Sequence, residues 1–407
     1  MKPIDGGVCA PQGFQAGGIR CGIKGGSSKR DLALIYSEAP CTSAALFTAN
    51  RVKAASVLVS QQHLARGQIR GIIANSGNAN ACTGEAGIAA ARRMAELAGA
   101  ALHIPGEQVA VASTGVIGVP LPIEAIAEGM KALRGAIRAD AQGHEAALEA
   151  IMTTDIRKKS GSLEIEIAGL PIRLGGMVKG SGMIHPNMGT MLCFITTDVL
   201  ISQELLDQAL RRSVQRSFNR VTVDGDTSTN DMILIMANGE GHNPPIQTEG
   251  TDFAVFAAAM EGLCVNLARA MARDGEGATK LLTVTLRGAA DEASAAVLAK
   301  SVASSNLVKT ACFGADANWG RVLCALGYAG IDFDPHKVEV AVASAAGHLS
   351  LCKEGMGLPF SEDRAKQILL EDEIEIIITL GQGSGEAVVW GCDLTYNYIR
   401  INGDYRS

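Results

Sequence analysis

Metal-ligand spacing is missing from this chain. Its ten cysteines contain no C-x-x-C pair, and no His-x-x-x-His stands near them, which argues against a zinc-type or other metal site. The cysteines read as free thiols, because a disulfide framework would be out of place in so long a chain without an export signal. An excess of basic charge is lacking as well. With a net charge of −6 and dispersed Lys and Arg, the chain offers a phosphate backbone no basic surface, so no nucleic-acid partner is expected. No apolar run reaches the roughly 20 residues that span a bilayer. The opening Met1-Lys2-Pro3-Ile4-Asp5-Gly6-Gly7 has no apolar core of a signal peptide. A cytoplasmic protein without membrane contact is therefore expected. There is no G-x-x-x-x-G-K-[ST] loop, no G-x-G-x-x-G opening a helix after a strand, and no repeat with a period of roughly 20–50 residues.

What is present is enough apolar material for folding: 407 residues at 47% hydrophobic can bury one large core or two subdomain cores. Leu163–Ile167, Leu282–Leu286, Val338–Val342 and Glu373–Ile377 alternate apolar and polar residues with period two, the pattern of half-buried strands. The segment 87–98 instead places Ile88, Ala91, Met94, Ala95 and Ala98 on one helical face. The segment 204–214 does the same with Leu206, Ala209, Leu210 and Val214. Mixed strands and helices of this kind predict an α+β, layered α/β architecture.

The most informative stretch runs from Lys179 to Asp198, a polar, turn-rich approach that ends on Thr190 and passes into the apolar run Met191-Leu192-Cys193-Phe194-Ile195. A threonine hydroxyl lacks a nearby base. If the Gly189–Thr190 bond is cut, the freed α-amine supplies one, since its pKa of about 7.7–8.0 leaves a substantial neutral fraction at cellular pH. Gly189 puts no side chain beside the carbonyl that Thr190 Oγ would attack. Upstream, Val109–Ser113 reads as a strand emptying into a turn at Thr114-Gly115, where a hydroxyl and a backbone N–H can face one point. Such donors suit the oxyanion of an acyl-transfer intermediate. Lys179 can pair with a carboxylate and Glu276 with an ammonium. Asp224-Gly225-Asp226 lacks the spacing of a calcium loop and reads as structural. Cys193 reads as a small core residue, and His185 as a packing group or a catalyst with equal force.

Beyond that stretch, Asn75-Ser76-Gly77-Asn78-Ala79-Asn80-Ala81, Ser113-Thr114-Gly115-Val116-Ile117-Gly118, Met152-Thr153-Thr154-Asp155, the run Val223 to Asp231, Gly275-Glu276-Gly277-Ala278-Thr279-Lys280 and Asn402-Gly403-Asp404-Tyr405-Arg406-Ser407 stand in order along the chain. Together they resemble the motifs of the ornithine acetyltransferase family of arginine biosynthesis, over almost the whole length. The resemblance implies a helix–sheet–sheet–helix sandwich with an N-terminal-nucleophile-like self-cleaving site. It implies an N-terminal fragment 1–189, a C-terminal fragment 190–407, and a smaller C-terminal α/β part from about residue 281. It implies that Thr190 is the nucleophile, that Thr114 and Gly115 form the oxyanion hole, and that the cut falls between Gly189 and Thr190. Substrate would be held by Thr153 (or, failing it, Thr154), Lys179, Thr190, Glu276, Asn402 and Ser407.

The implied reaction moves acetyl from N-acetylornithine to glutamate through an acetyl-threonine, with no cofactor. Acetyl-CoA as a further donor is left open, and the family suggests two copies of each fragment. Three positions depart from the usual pattern: Gly189 stands where Ala is usual, His185 where Ala is common, and Ser407 where Thr is frequent. An N-terminal-nucleophile aminopeptidase or amidase, with water as acceptor, is the alternative.

Overall fold

Two neighbouring strands, Leu192–Thr197 and Met232–Ala237, are buried at every position, so they must be covered on both faces. Successive side chains of a strand point to opposite sides, and here the two sides feed different cores. Cys193, Ile195, Ile233 and Ile235 pack among helical residues. Leu192, Phe194, Met232, Leu234 and Met236 pack against a second sheet.

The computed structural model describes residues 1–185 and 191–404. Its central sheet has the order Lys2–Pro3, Lys159–Ile167, Leu170–Lys179, Leu192–Thr197, Met232–Ala237, Thr42–Phe47. The facing sheet has the order Phe14–Ile19, Leu32–Ser37, Gly71–Asn78, Val109–Val116. Phe14, Ala33, Ile35, Ile72, Ala74, Ala110 and Ala112 face the six-stranded sheet. Their neighbours Leu32, Leu34, Ile73, Val109 and Val111 turn the other way, onto helices Ala55–Arg66, Gly84–Leu102 and Ile123–Ala136. Helices Gln203–Arg216 and Thr251–Arg273 cover the outer face of the six-stranded sheet. The layers are therefore helix, sheet, sheet, helix, as the family resemblance implies.

Helix Gln203–Arg216 begins where Ser202 Oγ accepts the Leu205 N–H, a cap for a donor that has no partner within the helix. The 23-residue helix Thr251–Arg273 is long and apolar enough to cross a membrane by composition alone. It buries Phe256, Met260, Leu263, Leu267 and Met271 in the core instead.

A third sheet, in the order Met356–Gly357, Gly347–Lys353, Glu339–Ser344, Glu373–Thr379, Leu281–Ala289, Gly385–Cys392, closes a separate core with helices Glu292–Ser304, Asn306–Phe313, Trp319–Gly327 and Glu362–Leu369. Three of the four alternating segments lie wholly in strands, the fourth does so except for Val338, which stands just before strand Glu339–Ser344, and both periodic segments lie in helices. One local expectation fails. Thr114 and Gly115 do not form a turn after the strand, because the strand runs on to Val116.

Candidate active site

The strand holding Thr114 and Gly115 continues because Gly77 of the neighbouring strand lies directly beside Gly115, while Asn78 pairs with both Thr114 and Val116 across an irregularity. Gly115 has φ of +134°, and a Cβ there would lie 2.3 Å from the Gly77 carbonyl carbon. Only glycine allows this approach. Thr114 is 4% exposed, yet it and Gly115 face a cavity.

That cavity encloses about 590 Å³, its mouth included, and is lined by Thr114, Gly115, Thr153, Lys179, Glu276 and Asn402, together with Ala79, Ile117, Thr154, Gly182, Met183 and Ser228 to Asn230. Six candidate residues, spread over almost 290 positions of sequence, thus line one cavity. Gly189, Thr190 and Ser407 lie outside the described residues.

Lys179 closes the strand Leu170–Lys179 and pairs in register with Leu192, so the connection 180–191 leaves from and returns to the cavity end of the sheet. The side chain is 2% exposed. Nζ donates to Thr153 Oγ1 at 2.7 Å and, weakly, to Thr114 Oγ1 at 3.4 Å. Burial pulls the Lys179 pKa down, opposed first by Asp155. Also in the cavity lining, Asn402 Nδ2 donates to Glu276 Oε2 at 2.8 Å. Gly182 leaves room for that carboxylate, since a Cβ there would sit 2.3 Å from Oε2. The cavity therefore presents an ammonium, a carboxylate and several hydroxyls, a set that can grip an amino acid by both charges.

Carboxylates anchor the described residues on both sides of 186–190. Asp224 accepts the N–H groups of Met183 at 2.6 Å and Ile184 at 2.9 Å, a structural role, and burial raises its pKa. Asp231 is fully buried and accepts the Met191 N–H at 2.9 Å. Burial pushes its pKa well above the carboxylate range, against the Met191 bond and the nearby Thr48 and Ser228 hydroxyls. The Thr48 hydroxyl, however, donates to the Ser228 carbonyl at 2.6 Å, so the geometry credits Asp231 with less support than proximity suggests. Asn230 ties the two sheets together, donating to the carbonyls of Ala79 at 2.6 Å and Ser113 at 2.8 Å. His185 Nδ1 lies 3.1 Å from Thr222 Oγ1, and the ring is not part of the cavity wall. Cys193 is fully buried, and burial holds its thiol pKa well above the ordinary value, which suits a core residue.

Sequence reasoning gave no site role to Ser228, Thr229, Asn230 or Asp155, although the runs that contain them were among the family-like motifs. Their one-dimensional signal is a cluster of small polar residues that any loop could carry.

A model of the ArgJ family matches residues 15–407 of the chain. The arginine biosynthesis bifunctional protein ArgJ of Symbiobacterium thermophilum is 48% identical over 408 residues, covering 100% of both chains. That of Thermotoga neapolitana is 48% identical over 399 residues, covering 98% of this chain and 99% of its own. The crystal structure of arginine biosynthesis bifunctional protein ArgJ from Bacillus halodurans is 44% identical, covers 52% of this chain and 98% of its own, and superposes with a TM-score of 0.50. With the family model spanning nearly all of its length and relatives matching it end to end, the chain belongs to the ArgJ family.

Proposed function

We propose that the protein is a self-cleaving acetyltransferase of arginine biosynthesis that moves acetyl from N-acetylornithine to glutamate. The convergence of Thr114, Gly115, Thr153, Lys179, Glu276 and Asn402 on one cavity is the observation that carries this reading. Met183, two residues short of the described end before Thr190, lines the cavity, and Met191, bonded covalently to Thr190, is held by Asp231, the neighbour in sequence of the cavity-lining Asn230.

In the first act Thr190 Oγ attacks the Gly189 carbonyl. The peptide C–N bond breaks as the C–O bond forms, and the proton of Oγ ends on the freed amine. Water then hydrolyses the ester, giving fragments 1–189 and 190–407. Support for a divided product comes from the solved Bacillus halodurans chain, 98% of which corresponds to only 52% of this one, about the share of either fragment.

In the second act the Thr190 amine takes the Oγ proton while Oγ attacks the acetyl carbonyl of N-acetylornithine. Thr114 Oγ1 and the Gly115 N–H stabilise the oxyanion. The ornithine amine leaves with the proton, and the amine of glutamate attacks the acetyl ester by the reverse path. Lys179 and Glu276 hold the substrate's charged groups, Thr153 and Asn402 help to position them, and Ser407 is assigned to the same set. One amide is exchanged for another, so the exchange itself needs no cofactor. Acetyl-CoA as an additional donor, a cytoplasmic setting, and an assembly of two copies of each fragment belong to the same proposal.

Intact-mass analysis of purified protein tests the first act: two fragments beginning at Met1 and Thr190 are expected, and a single chain after Thr190→Ala. A Thr190→Ala variant still cut at this bond overturns it. Incubation with N-acetylornithine tests the second: the C-terminal fragment should gain one acetyl group and lose it on addition of glutamate. Release of free acetate with no dependence on glutamate would point instead to an amidase.

A further inference from the structure

Running back from Lys179 in the cavity wall, Lys179, Asp155, Lys159 and Asp274 form a row of charged side chains, each no more than 5% exposed. Two cations and two anions make the row neutral as a whole, the condition under which buried charge is tolerated. Asp155 is its hub. Oδ1 accepts from Lys159 Nζ and from the Gly180 N–H, both at 2.7 Å. Oδ2 accepts the Thr153 N–H at 3.0 Å and lies 3.9 Å from Lys179 Nζ. A single carboxylate thus fixes the backbone of Thr153 and of the residue next to Lys179, the two groups that meet at the cavity through their own 2.7 Å hydrogen bond. Beyond it, Lys159 also pairs with Asp274, two residues before Glu276.

From this geometry we infer that Asp155 is a positioning residue, which acts through Lys179 and Thr153 to hold a charged ammonium and a hydroxyl ready for the carboxylate of an amino-acid substrate. The role rests on the acyl-transfer reading above, which supplies that carboxylate.

Charge balance gives the role a signature that simple scaffolding lacks. The charged groups facing Lys179 are Asp155, Lys159, Glu276, Asp231 and, from the loop after strand Phe14–Ile19, Lys24. Burial works to deprotonate Lys179, and Asp155 is the leading group that opposes it. Burial alone would raise the Asp155 pKa, yet Lys179 and Lys159 together hold it below the carboxylate range. Asp274, with Lys159 as its cation and Asp155 as a like charge, is instead raised by burial. Asp155→Asn leaves the row with an excess cation, which it relieves by releasing the Lys179 proton. Lys159→Gln leaves an excess anion, which keeps that proton in place.

Steady-state kinetics of acetyl transfer, with glutamate varied from about pH 6 to about pH 9, test the inference on the processed enzyme. Asp155→Asn should raise the KM for glutamate by about tenfold or more at the alkaline end, with recovery toward wild type at the acid end and little change in kcat. In a Lys179→Met background the same change should add almost nothing to KM. Lys159→Gln should move the alkaline inflection upward. An unchanged KM and flat profile for Asp155→Asn, or additive effects of Asp155→Asn and Lys179→Met, overturn the inference while leaving the transfer reading intact. Should Asp155→Asn fail to fold, a downward shift in Lys159→Gln overturns it alone. A wild type that transfers no acetyl sinks the functional reading, and the inference with it.

Discussion

Asn402 reaches back across 126 residues of sequence to donate a hydrogen bond to Glu276 at 2.8 Å. The bond ties the C-terminal helix Tyr396–Asp404 to the loop that follows the long core helix Thr251–Arg273. The C-terminal helix has no buried residue, and its seat includes the hydrogen bond from Tyr398 Oη to Asp224 at 3.3 Å. Asn402→Ala should raise the KM for the ammonium-bearing substrate severalfold by freeing the Glu276 carboxylate. Because Asn402 is exposed, stability should change by no more than about 0.5 kcal/mol. Steady-state kinetics and a denaturant titration check both halves.

Thr114→Ala removes one proposed oxyanion donor from a buried position. A loss of about 10²–10³-fold in kcat is expected, with KM nearly unchanged, because the donor acts on charge that appears only in the transition state. Self-cleavage should slow in parallel, which a time course of precursor disappearance on denaturing gels would read.

Gly115→Ala meets two obstacles at once: a left-handed φ of +134° and a Cβ 2.3 Å from the Gly77 backbone. Strain of about 1–3 kcal/mol from the backbone conformation is expected, and the contact must push the two strands apart. The variant should accumulate as uncut precursor with a lowered melting temperature, visible by gel and thermal denaturation.

Gly182→Ala places a methyl against the Glu276 carboxylate at 2.3 Å. The carboxylate must swing aside, so the KM for N-acetylornithine should rise by about tenfold, the cost of a charge-assisted hydrogen bond. Isothermal titration with ornithine would measure the same loss without turnover.

Acid should destabilise the fold through His144. Its ring is 3% exposed, Nδ1 accepts the Val8 N–H at 3.3 Å, and burial lowers its pKa to about 4. The unfolded chain takes up a proton below about pH 6.5 while the folded one does not, so this contribution is intact above about pH 6.5 and is lost as pH falls toward about 4. The shift corresponds to roughly 3 kcal/mol. Urea titrations across that range should show the decline, and His144→Asn should flatten it.

Individual strands and helices are legible because period-two and helical periodicity are local properties, whereas the order of the layers is legible only through the family resemblance. Glu373 and its apolar partners alternate in any context, and helix 84–102 shows its buried face in the spacing of Ala91, Met94, Ala95 and Ala98. The strand through Thr114 and Gly115 reads as a turn in sequence because glycine signals a break locally, whereas in the fold Gly77 and Gly115 permit close pairing of two extended strands. Asp155 gave no sign of its position, since a carboxylate after two threonines looks like a solvated loop residue.

The sequence by itself determined the alternation of one strand of the central sheet and three strands of the third sheet, the family motifs, and the choice of Thr114, Gly115, Thr153, Lys179, Glu276 and Asn402 as candidates. Only the tertiary structure decided that these six meet, that Lys179 is buried beside Asp155, and that Asn230 ties the two sheets together above the cavity. The physical reason is that patterning depends on neighbours a few residues apart. Burial of a charge and its neutralisation depend on chains of contact between residues more than 100 positions apart, such as Lys159 and Asp274.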